Sequence, residues 1–121
     1  MSAVLLPAKG KNSSEVAYCQ RAEESVCGYF LYRPEAFPKC RLYLNVDSFF
    51  SPGARNVFTV LCDLDDGATI TLEAVAHRIE KPDFYTLADA LCYCAMNEVD
   101  FILDLIHVRS LAARREREVG F

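Results

Sequence analysis

Between residues 26 and 79 the hydrophobic and polar positions of this chain alternate, and after residue 86 they do not. From Cys40 to Val46, the residues Cys40, Leu42, Leu44 and Val46 fall on one side of an extended chain, with Arg41, Tyr43 and Asn45 on the other. That is the period of a strand with one wet face. The same period recurs in Phe58, Val60, Cys62 and Leu64, and again in Ile70, Leu72, Ala74 and Ala76, the latter opposed by Thr69, Thr71, Glu73 and His77. Asp65-Asp66-Gly67 lies between these runs and has the chemistry of a tight turn, so the pattern predicts a β-hairpin over 56–79. Val26 to Arg33, rich in aromatics (Tyr29, Phe30, Tyr32) and stopped by Pro34, reads as another strand.

Beyond Pro82 the period lengthens. Leu87, Ala90, Leu91, Cys94 and Ala95 follow the three-and-four spacing of a core-facing helix, with Asp83 or Thr86 to cap it. Asp100 then caps a second helix through Arg117 that is apolar nearly all round. Phe101, Leu105, Val108 and Ala112 form one stripe of it, and Ile102, Leu103, Ile106 and Ala113 lie on others. Such a helix is buried on more than one side, either as a central helix or at a subunit interface, and the interface reading rests on Phe101, Leu105, Val108 and Ala112. Near the start, Ser13-Ser14-Glu15 resembles a helix opening and predicts a short helix over about 14–25. The expected order is a short helix, about four strands and two helices. That implies an α+β two-layer sandwich, a four-stranded antiparallel sheet centred on the 56–79 hairpin and covered by the two C-terminal helices. Residues 1–12, with Pro7, Gly10, Lys9 and Lys11, read as a flexible arm on a single domain over 13–121.

Composition narrows the function classes. At 121 residues, 52% hydrophobic and 25% charged, the chain is an ordinary globular domain. It has no apolar run near the roughly 18 residues of a spanning helix. Met1 to Asn12 lacks the long apolar stretch of a signal peptide, so the reading is cytoplasmic. Six cysteines, Cys19, Cys27, Cys40, Cys62, Cys92 and Cys94, are the unusual count. Their spacings do not form the Cys-x₂₋₄-Cys pairs of a zinc site, and most sit in apolar runs. They read as reduced core residues, with no cofactor implied.

The net charge of −4 is unevenly spread. Residues 63–104 hold ten acids and two bases, and the segments on either side are weakly basic. Asp63, Asp65, Asp66 and Glu73 therefore read as an acidic surface able to attract a basic protein partner. The overall charge argues against a nucleic-acid partner, and the aromatic and basic residues at Tyr29, Phe30, Tyr32, Arg33, Arg41 and Tyr43 fit a protein surface better.

Candidate chemistry is sparse. Asp63-Leu64-Asp65-Asp66-Gly67 lacks the twelve-residue frame and closing glutamate of a calcium loop. Asp100, Asp104 and His107 share one helix face and form a weak metal candidate, without the second motif that a two-helix site requires. No cysteine–histidine pair, nucleophile elbow or glycine-rich phosphate loop is present. A small enzyme using His77 or His107 is the weakest reading. An apolar small-molecule pocket between sheet and helices, lined by Phe58, Leu72, Leu91 and Phe101, is the second. The favoured reading is a non-enzymatic binding or regulatory protein that acts through a protein–protein surface as a homodimer.

Overall fold

The computed structural model describes residues 17–79 and 84–120. The arm over 1–12, the helix opening at Ser13-Ser14-Glu15 and the cap at Asp83 lie outside the described residues. Among those described, the chain is helical and contains no strand. The α+β sandwich, its four-stranded sheet and the 56–79 hairpin are therefore overturned. The helices are α1 (Gln20–Tyr32), a single turn α2 (Phe37–Cys40), α3 (Pro52–Gly67), α4 (Leu72–Arg78), α5 (Phe84–Cys92) and α6 (Glu98–Gly120). Three 3₁₀ turns, Pro34–Ala36, Arg41–Tyr43 and Val46–Ser48, bridge α1 to α3.

The physical reason for the correction is clearest in α3. Ser51 is its N-cap, with its side chain accepting the Ala54 N–H, and Pro52 occupies the first turn, where a missing N–H costs nothing. Ala54, Val57, Phe58, Leu61 and Leu64 are spaced at three and four and are all buried. The alternating set Phe58, Val60, Cys62, Leu64 shares only Phe58 and Leu64 with this stripe, and its half-buried Cys62 shows that the period of two is incidental. Asp65-Asp66-Gly67 is the last turn of this helix, where Arg41 reaches Asp65 and Asp66 at 2.9 and 3.0 Å.

The supposed return strand is α4. The Thr71 side chain accepts the Ala74 N–H at 3.0 Å, Val75 is wholly buried, and Leu72 is 41% exposed. In the 40–46 segment, Leu44 is buried but Leu42 is 81% exposed. A strand would have hidden both; the 3₁₀ turn sends them apart.

In α1, Ala22, Val26 and Phe30 are four apart and line one buried edge, with Cys27 and Leu31 beside them, and Pro34 follows the helix end. The helix expected over 14–25 overlaps only its first half, and the strand expected over Val26–Arg33 is its second half. Two C-terminal helices are present, but α5 ends at Cys92, before Cys94 and Ala95 of the expected stripe, and α6 begins at Glu98, ahead of the expected cap at Asp100. The cap of α6 is Asn97, whose side-chain oxygen accepts the Asp100 N–H at 2.8 Å.

The core is a chain of rings. Phe30 meets Phe37 and Phe101 edge-on at 5.0 and 5.4 Å, Tyr29 stacks on Phe101 at 4.1 Å, and Phe58 closes on Phe37 and Phe49 at 5.7 and 5.3 Å. The rings thus tie α1, α2, α3 and α6 together, each contact adding about 0.5–1.5 kcal/mol beyond burial.

Helix α5 closes over this core where two glycines admit it. A Cβ on Gly28 would stand 2.0 Å from the Ala90 carbonyl oxygen, and one on Gly53 would stand 2.0 Å from Thr86 Oγ1. Nothing lies within 4 Å of the corresponding position on Gly67.

These distances set an expected order of stability in denaturant unfolding. Gly28→Ala, which meets backbone, loses about 1–3 kcal/mol as an overpacked contact. Gly67→Ala is neutral, or stabilising by up to ~1 kcal/mol through the unfolded chain. Equal midpoints for the two variants would contradict the close approach of α1 and α5.

Candidate functional site

The placement of α6 begins with a buried acid on α1. Glu23 is 2% exposed, and its carboxylate accepts the Phe50 N–H at 2.8 Å and the Ser51 N–H at 3.1 Å. These donors lie at the entrance to α3, where a negative charge is favoured by the helix dipole. Burial pushes the Glu23 pKa above the ordinary carboxylate range. The two backbone donors and the positive Arg115 and Arg55 pull in the other direction without cancelling it.

Arg115, from the far half of α6, donates to the carbonyl oxygens of Ala17 at 2.7 Å and Ser48 at 3.0 Å, with a longer bond to that of Asp47 at 3.3 Å. It also stands over the Phe50 ring. The node of Glu23 and Arg115 joins α1, the 46–51 turn and α6.

With α6 held this way, its faces divide. Phe101 and Val108 point into the protein's own core, at 3% and 2% exposure, and Leu105 and Ala112 are half-buried beside them. The stripe that the sequence offered as an interface is thus largely the inward face. The opposite face carries Val99, Ile102, Leu103 and Ile106 at positions i, i+3, i+4 and i+7, between 44% and 66% exposed. No sequence signal separated the two stripes, because both are apolar.

Beside this stripe, a groove of about 500 Å³ runs between α1, the 93–96 connection and the first half of α6. Ala22 and Ser25 form its buried floor; Tyr93, Met96, Asp100, Leu103 and His107 form its exposed rim. The structure brings Asp100, Asp104 and His107 together here, with other bonds already made. The Ser25 hydroxyl donates to Asp104, and the Asn97 side-chain amide donates to Asp100 at 3.1 Å. Among the described residues, no three histidine, cysteine or acidic groups are placed to hold a metal ion. Arg21 lies 3.7 Å over the Tyr93 ring at one edge.

The remaining candidates do not converge. Asp65 and Asp66 are held by Arg41, while Asp63 and Glu73 stand exposed on different helices. Phe58 and Phe101 are core residues, Leu91 is half-buried and Leu72 is exposed, and none of the four lines the groove. His77 is exposed in the last turn of α4.

All six cysteines are free. Only Cys27 is fully buried, its thiol pushed up by burial and by the nearby Glu23 and Glu24. Cys92 is exposed, which corrects its reading as a core residue.

The geometry defines a small helical bundle with a long, two-faced terminal helix and no assembled catalytic group among the described residues. The model of the DnaB-like helicase N terminal domain family matches residues 16–93, more than half of the chain, and the chain belongs to that family. The match covers α1 to α5 and stops short of α6. No curated protein and no solved structure matches the chain. No helix among the described residues is long and apolar enough to cross a membrane.

The Glu23 node carries a prediction. Glu23→Ala leaves two backbone donors without a partner, at about 1–3 kcal/mol each. Glu23→Gln keeps an acceptor. Because the folded pKa lies above the unfolded value, the acid's contribution is fully present below its ordinary pKa of 4.5 and is lost as pH rises through the higher folded value. Unfolding free energies measured from pH 4 upwards should show that decline in the wild type and a flatter profile in Glu23→Gln. Parallel profiles would refute the assignment.

Proposed function

We propose that this chain is a non-enzymatic association module that joins two copies of itself through the outward stripe of α6. The observation that carries this reading is the run of Val99, Ile102, Leu103 and Ile106 left in water on a helix whose other face is fully used. Four neighbouring large apolar side chains on one helix face are the expected mark of a partner surface.

The charge pattern of α6 supports a second copy as the occupant. Its first turn carries Glu98 and Asp100, and its later turns carry Arg109, Arg114, Arg115 and Arg117. Two copies crossing antiparallel about a two-fold axis near Leu103 bring the acidic end of each beside the basic half of the other. Glu98 and Arg109 are eleven residues apart, about three turns, and so share one flank of the helix. That flank meets its own symmetry mate, which sets Glu98 against Arg109 of the second copy. Arg109 is exposed and stands over Tyr43, available for such a contact. The family is named for the N-terminal domain of a helicase, and a role in assembly fits that position in a larger machine.

Light scattering on a sizing column should give about twice the 13.6 kDa chain mass at micromolar concentration. Ile106→Asp and Val99→Asp should shift it to the monomer with helical circular dichroism unchanged, because both side chains already face water. Val108→Asp, which buries a charge in the core, should unfold the chain instead. A wild-type chain that stays monomeric throughout would sink the proposal.

A further inference from the structure

The 3₁₀ turn Arg41–Tyr43 holds a large apolar side chain in water. Phe37 before it and Leu44 after it are buried, and Leu42 between them is 81% exposed. Arg41 fastens the turn to the end of α3. It donates to Asp65 at 2.9 Å and Asp66 at 3.0 Å, with a longer bond to the Cys62 carbonyl oxygen at 3.5 Å. A side chain on backbone that is ordered beforehand loses little freedom on binding.

The turn also has a fixed position along α6. At its start, burial raises the Cys40 thiol pKa, Lys39 lowers it and the Glu98 carboxylate raises it, so the charge of Glu98 is felt at Cys40. At its end, Arg109 stands over the Tyr43 ring. Glu98 and Arg109 are about 16 Å apart along the helix axis, whereas three residues of 3₁₀ helix rise only about 6 Å. The two side chains therefore converge on the turn from opposite ends, and Leu42 stands abreast of the middle of that run, beside Leu103. The two-fold axis of the antiparallel pair passes at the same level.

Area gives a second argument. A stable dimer hides about 800 Å² and about 20 residues on each partner, and the α6 stripe offers four large apolar side chains. A surface continuous with that stripe has to supply more, and the flank of Glu98 and Arg109 leads directly to the turn.

We propose that the Arg41–Tyr43 turn is the second half of the self-association surface, with Leu42 of one copy packed against Leu42 of the other beside the two-fold axis. Tyr43 holds Arg109 towards Glu98 of the second copy, and Arg41 is a positioning residue that acts through the turn. The inference rests on self-association through α6 and adds to it a self-contact outside that helix.

Dissociation constants of the full chain, from sedimentation equilibrium over a dilution series, test it. Leu42→Asp should raise the constant about a hundredfold, a factor of about ten for each of the two copies. Helical circular dichroism should not change, because the side chain already faces water. Leu42→Met should keep the wild-type constant, and Arg41→Ala should raise it about tenfold. Leu42→Lys should dissociate as Leu42→Asp does, and an equal mixture of the two variants should recover the dimer, because the substituted positions face each other across the axis. A wild-type dimer whose constant is unmoved by Leu42→Asp, or a mixture no tighter than its components, would overturn the inference and leave the α6 stripe standing. A monomeric wild type would overturn both.

Discussion

The arrangement depends on one buried carboxylate. Glu23 stands on the apolar side of α1, where an unpaired charge would cost several kcal/mol, and it is tolerated because two backbone N–H groups at the mouth of α3 need an acceptor. The bonds fix the angle at which the chain turns from the 46–48 turn into α3. Arg115 adds positive charge to the same region and draws the far half of α6 onto it. Burial outweighs the donors and the cations, so the acid's pKa is raised above the ordinary carboxylate value.

From that node the two faces of α6 acquire different roles. Phe101 enters the ring cluster with Tyr29 and Phe30, and Val108 fills the space beside it. A helix of 23 residues, about 35 Å long, cannot also bury its other side in so small a bundle. The outer apolar stripe is therefore left for another surface, and the polar, acidic flank beside it becomes one wall of the groove. The family match ends just before this helix, so the stripe proposed for self-association lies outside the matched residues.

The strands failed for an identifiable reason. Over seven or eight residues, a set such as Phe58, Val60, Cys62 and Leu64 satisfies period 2, while Val57, Phe58, Leu61 and Leu64 satisfy a helix. Local pattern alone does not separate them. The discriminating residues were the ends: Ser51-Pro52 opens a helix, and Thr71, three residues before Ala74, opens another. In α1 the aromatic residues argued for a strand, and Gly28 costs the helix roughly 0.5–1 kcal/mol there. Its purpose appears only when Ala90 is seen against it. Arg115 stands among several charged residues near the end of α6, yet it reaches three carbonyl oxygens from two distant segments.

Some properties were legible in residue order alone: the existence of two C-terminal helices, the surplus of apolar residues on the last of them, and the uneven charge. They are local or additive, and a repeat of three and four sustained over many residues has no competing reading. Everything that required knowing which helix meets which was decided by tertiary packing. That includes the conversion of alternating runs into α3 and α4, the burial of Glu23, the choice of inward stripe on α6, and the gathering of Asp100, Asp104 and His107 at a groove. An amphipathic segment states only that one side must be covered; the shape of the neighbours, down to a missing Cβ at Gly28 and Gly53, determines which side and by what.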